Sequence, residues 1–115
     1  MTPGMSTDAF RRAALALPGA VENAHMNHPD FRVGNRIFAT LGYPDGSWAM
    51  VKLPPEEQHR LVESMPETFK PAAGAWGRQG STMVRLEKAK PKVMSFALEM
   101  AWRLAQARSG QKKSV

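Results

Sequence analysis

The chain contains no cysteine. Disulfides, thiolate metal ligands and thiol nucleophiles are therefore excluded outright. No apolar run approaches the roughly 18 residues needed to cross a bilayer. The start lacks the charged-then-apolar order of a secretory signal, so the expected location is the cytoplasm. Catalytic signatures are missing too. Ser81 follows "RQG" without the G-x-S-x-G elbow, and the glycine-rich "GAWGRQG" has neither a Lys-Ser/Thr pair nor a helix directly after it. "PEE" at 55–57 marks a helix start, and its carboxylates diverge by about 100° as helical neighbours. His25 and His28, three residues apart, are expected on opposite faces of one strand, with no third ligand nearby. His59 falls on a charged helix face. These absences describe a non-enzyme with no metal and no cofactor.

What is present is a chain of 115 residues, 43% hydrophobic and 23% charged. That is one globular domain, long enough to bury an ordinary core. The net charge of +6 is unevenly placed. Residues 1–84 carry eight Lys/Arg and eight Asp/Glu; residues 85–115 carry eight Lys/Arg against Glu87 and Glu99. A basic C-terminal region attracts polyanions. The same charges also suit a solvated helix face followed by a lysine tail.

Segment patterning predicts an α+β domain with a largely antiparallel sheet. "STDAFRRAALALPG" reads as a helix capped by Ser6 or Thr7 and stopped by Pro18-Gly19. "PPEEQHRLVESMP" reads as a second, with acids beside its N-terminal dipole. "KPKVMSFALEMAWRLAQAR" is a third, with an apolar stripe of Val93, Phe96, Ala97, Met100, Ala101 and Leu104. Between them the period falls to two. "DFRV" and "RIFATL" are joined by Gly34-Asn35, a strong hairpin signal, and "SWAMVKL" follows through "YPDG". "STMVRL" is the last strand. The order is α-β-β-β(β)-α-β-α, in a domain of residues 6–108 with a disordered basic tail at 109–115.

Strand alternation assigns the faces. Phe31, Val33, Phe38, Ala49, Val51 and Leu53 form an apolar set that belongs in the core. Arg32, Ile37, Ala39, Leu41, Trp48, Met50 and Lys52 are expected on the opposite face, joined by Met83 and Arg85. That second face has an apolar, aromatic centre and basic edges. It suits a nucleic-acid strand, whose phosphates the cations would track. It equally suits a face hidden beneath the loop that holds Trp76. In that loop Trp76 is expected to clasp the sheet, Gly77 and Gly80 to form tight bends, and Arg78 to stand exposed at the tip.

Through "LPGAVENAHMNHPDFRVGNRIFATLG", "WAMVKLPPEEQHRLVE" and "AWGRQGSTMVRL" the chain resembles the MmcQ/YjbR family of small bacterial proteins, over roughly residues 8–106. The resemblance implies a compact α+β fold similar to frataxin-like and secretion-chaperone-like sheets. It also implies DNA binding through a "double-wing" arrangement of two β-hairpins. By position, the wings are the hairpins at Gly34-Asn35 and Tyr43–Gly46. The first carries Arg32 and Arg36; the second carries Asp45 and no cation at its tip. The combined expectation is a DNA-binding protein contacting phosphates through Arg32, Arg36, Lys52, Arg78, Arg85 and Lys88. The alternative is a protein-interaction or small-ligand module using the Trp48, Met50 and Met83 face.

Overall fold

A computed structural model describes residues 4–113, with side chains to Arg108. Ser6 opens the first helix, α1 (Thr7–Leu15), its hydroxyl accepting from the Ala9 amide at 3.0 Å. α1 buries Phe10 and Ala14, and Phe10 meets Phe31 edge-on with ring centroids 6.1 Å apart.

Four strands follow: β1 (Val21–His25), β2 (His28–Val33), β3 (Arg36–Leu41) and β4 (Trp48–Lys52). Helix α2 (Pro55–Ser64), strand β5 (Phe69–Pro71), the short helix α3 (Gly74–Arg78) and strand β6 (Ser81–Arg85) come next. A 3₁₀ turn (Leu86–Lys88) leads into α4 (Pro91–Lys113). The six strands form one antiparallel sheet in the order β1-β2-β3-β4-β6-β5. The α+β class and antiparallel sheet are those expected. The sequence patterns did not separate out β1, β5 and α3.

β1 and β2 are joined by a two-residue turn, Met26-Asn27, with both φ angles positive (51° and 66°), like Asn35 (66°) and Gly34 (56°) in the next hairpin. Left-handed turns of this kind match the sheet twist. Met26 gives no sequence cue for one. Because the turn intervenes, His25 and His28 face each other as cross-strand partners and share a face. The expectation that they diverge along one strand is corrected.

The face map needs two further corrections, which cancel. Phe31 pairs with Ala39 and Arg32 with Ile37, so Phe38 is an extra residue, a bulge without an opposite number. Phe38 and Ala39 both turn inward and are fully buried, and Leu41 follows them into the core. Ala39 and Leu41 therefore do not belong to the second face. The next turn closes on Gly42, whose amide donates to Trp48 O at 3.0 Å, leaving a five-residue loop where an even one was expected. Each shift moves the alternation by one residue. Ala49, Val51 and Leu53 thus still reach the core.

α1 and α4 cover the core face. α4 buries Met94, Ala97, Leu98, Ala101 and Ala105, one position round from the expected stripe, and leaves Phe96 exposed. Both sides of this helix are apolar, so its pattern alone did not choose between them. α4 is 23 residues, ~35 Å long. It continues to Lys113, past the expected boundary at 108. The rest of the expected tail, 114–115, lies outside the described residues. No described helix is long and apolar enough to cross a membrane.

Candidate functional site

The second sheet face, opposite the core, opens into a groove edged by residues of α3 and α4. Its side chains stand in cross-strand rows set by the register. The central row runs Asn23, Asp30, Thr40, Met50, Met83, Lys70. On one side lie Trp48 and Arg85; on the other lie Arg32 with Ile37 and Lys52 with Ser81. Most of these residues are half-buried.

Asp30 is the carboxylate of these rows, and it has no exposed surface. Arg32 donates to it twice, Nε to Oδ1 at 2.8 Å and Nη2 to Oδ2 at 3.1 Å, and His25 Nδ1 lies 2.7 Å from Oδ2. The Arg32 hydrogen bonds hold the Asp30 carboxyl below the usual range against the opposing effect of burial, and His25 adds to the lowering. The negative charge of the face is therefore consumed internally, as is the charge of Arg32.

Trp48 sits beneath two cations. The Arg85 guanidinium is 4.5 Å from its ring centroid and Lys70 Nζ is 4.8 Å. Cation–π contacts of this length hold both charges over the face. The ring itself is occupied. Trp76, in contrast, is 74% exposed. It does not clasp the sheet, and that expectation is corrected. It stands at the rim of a groove of about 280 Å³ that crosses the open face from His25 past Thr40 and Met50 to Lys52 and Arg108.

The clasp is Gln58. This buried amide reaches from α2 to donate to Gly77 O at 2.9 Å and Ser81 O at 3.0 Å, tying α3 to the sheet. Gly77 lies so close to the Ala72 carbonyl that a Cβ would collide with it. A sequence signal for Gln58 existed: it falls three residues before Leu61, on the buried side of α2.

The remaining predicted residues divide. Lys52, Arg36 and Arg108 come together at the end of the sheet where α4 overruns the β2–β3 hairpin, lining a second cavity of about 280 Å³ with Arg32, Ala101 and Leu104. Arg36 is thus turned toward α4 instead of projecting from a hairpin tip. Burial holds the Lys52 ammonium below its ordinary value, with Arg108 and then Arg36 adding to the effect. Arg108 was not among the expected site residues, because only α4's path brings it here. Arg78 and Lys88 are exposed and line neither cavity. At the second hairpin, Asp45 accepts from the Ser47 amide at 2.8 Å and hydroxyl at 2.6 Å, so its charge stabilises its own turn. His28 packs edge-on against Tyr43, with centroids 5.6 Å apart. Among the described residues, no three His, Asp or Glu side chains are grouped to hold a metal ion.

The model of the family described as YjbR matches residues 15–104 of this chain. No curated protein matches it. Among solved structures, the crystal structure of the Deinococcus radiodurans protein DR2400, with the family-model domain DUF419, is similar at 18% identity and a TM-score of 0.71. The alignment covers 95% of this chain and 91% of that one, and at such identity the likeness is one of fold.

Proposed function

The chain belongs to the YjbR family, and we propose that it is a cytoplasmic, non-catalytic DNA-binding protein that uses the open sheet face, not its hairpin tips. One observation carries this reading. The face holds cations at both ends, Lys70 and Arg85 at one and Lys52 and Arg108 at the other, with Arg36 just beyond them against α4, while Asp30 is neutralised by Arg32. Phosphates of a DNA strand would run between these ends, and a base would stack on Trp76 at the rim. Lys88 and Arg78 contribute general attraction from outside the groove. Phosphate contacts of this kind position a strand without reading its sequence.

Titration of a fluorescent single-stranded oligonucleotide at several salt concentrations tests the proposal. Arg85→Ala should weaken binding and lower the salt slope by about one unit. Trp76→Ala should weaken it by about 1–3 kcal/mol with the slope unchanged, because stacking releases no counterions. Arg60→Ala, on α2, is the control. A wild-type protein that fails to bind DNA at low salt would overturn the proposal. The Trp48, Met50 and Met83 surface would then stand as a protein- or ligand-binding face.

A further inference from the structure

The geometry points to a site for a terminal phosphate group, free or as a monoester, between the β2–β3 hairpin and the C-terminal half of α4, formed by Arg36, Lys52 and Arg108. It shares these cations with the DNA proposal but goes beyond it, and it stands or falls separately.

Three observations converge there. First, Arg36, Lys52 and Arg108 line one cavity, and none of them forms an ion pair with a carboxylate among the described residues. Cations in folded proteins are usually dispersed or balanced, because like charges brought together repel. Secondly, Arg36 Nε is closed off from solvent and makes no hydrogen bond within the protein. Buried donors are nearly always satisfied, and a modest turn of the Arg36 side chain would bring this one to an acceptor held in the cavity that the residue lines. Thirdly, Lys52 is held below its ordinary pKa by burial, Arg108 and Arg36, so the like charges do sense one another across the cavity. An anion would relieve all three conditions together.

The chemistry selects phosphate. Donors from three side chains on three separate backbone segments suit the several oxygens of a terminal phosphate better than the two of a carboxylate. Three cations also favour a dianion over the single charge of a phosphodiester. The cavity, at about 280 Å³, has room beyond the phosphate itself, and Ile37, Leu104 and Ala105 give it an apolar wall for the group that carries the phosphate.

Calorimetric titration with methyl phosphate and with dimethyl phosphate tests the site. Methyl phosphate should bind saturably at one site per chain, and dimethyl phosphate at least tenfold more weakly. Lys52→Gln and Arg108→Gln, whose side chains both reach solvent, should each weaken methyl phosphate binding at least tenfold. Arg103→Gln, on the same helix but paired with Glu99, should leave it unchanged. Two oligonucleotides, one with a 5′-phosphate and one with a 5′-hydroxyl, identify the source. Tighter binding of the phosphorylated strand assigns the site to a nucleic-acid end; equal binding, or none, assigns it to a small phosphorylated molecule. In the last case the DNA proposal fails while this site stands. Equal affinity for the two methyl esters, or full binding by the Lys52/Arg108 double variant, would overturn the inference.

Discussion

Asp30 and Arg32, two residues apart on β2, form a two-pronged ion pair at 2.8 and 3.1 Å on a face that is otherwise open. The pair explains how a buried carboxylate is tolerated in the middle of a basic surface. It also makes acid a specific stress on this fold. The folded pKa of Asp30 lies below its ordinary 3.8, chiefly through the Arg32 hydrogen bonds. Its stabilising contribution is therefore complete above that ordinary value and is lost as pH falls through the folded one. Asp30→Ala should cost on the order of 2–3 kcal/mol at pH 7, the scale of lost hydrogen bonds to a charged group. Denaturant unfolding at pH 7 and at successively lower pH should show this gap shrinking once pH falls below 3.8. A gap independent of pH would contradict the assignment.

Lys52 carries the opposite sign of linkage. Its folded pKa is depressed from an ordinary 10.5, so below the folded value the ammonium is charged in both states and the folded state bears the full penalty. As pH rises through the folded pKa toward 10.5, the folded chain releases the proton first and the penalty fades. Lys52→Met should therefore be the more stable protein at pH 7, by less than about 1 kcal/mol given its partial exposure. The advantage should vanish as pH approaches 10.5. A variant less stable than wild type at pH 7 would show that the ammonium has a stabilising partner.

The bulge assigns opposite fates to two large aromatic residues. Phe38→Ala should cost about 3–5 kcal/mol, because it empties a fully buried site. Trp76→Ala should change stability by no more than about 0.5 kcal/mol, as surface substitutions do. Thermal or denaturant unfolding of the two variants checks both. A loss above about 2 kcal/mol for Trp76→Ala would restore it as a clasp.

Gln58 should prove more important than its polarity suggests. Gln58→Ala leaves the Gly77 and Ser81 carbonyls without this donor and should cost about 1–3 kcal/mol. Amide hydrogen exchange should accelerate in α3 ahead of the rest of the chain, since the amide ties that helix to α2 and the sheet. Unaltered protection across Gly74–Arg78 would contradict the clasp.

The legible parts of this fold were those governed by neighbours in the chain. Ser6 caps α1 because its hydroxyl needs only the amide three residues on, and Gly34-Asn35 turns β2 into β3 because both adopt a left-handed backbone readily. Alternation along β4 and β6 placed Trp48, Met50, Met83 and Arg85 on one face, since successive strand side chains must point to opposite sides. From these the α+β class, the antiparallel sheet and a basic second face all follow.

The rest depended on residues distant in sequence. Met26-Asn27 adopts its turn because β1 and β2 pair, and Phe38 bulges because β2 and β3 settle in a register that packs Phe38 and Ala39 inward together. α4 has apolar residues on more than one side, and only docking against the sheet decided that Met94 and Leu98 go in while Phe96 stays out. Trp76 could have served as anchor or as rim until Gln58 took the anchoring contacts. Arg36 and Lys52 became one site with Arg108 because a helix of 23 residues overruns the hairpin. Residue type and local spacing determined the sheet and its charged face; tertiary packing alone decided which side chains are satisfied and which remain available to a ligand.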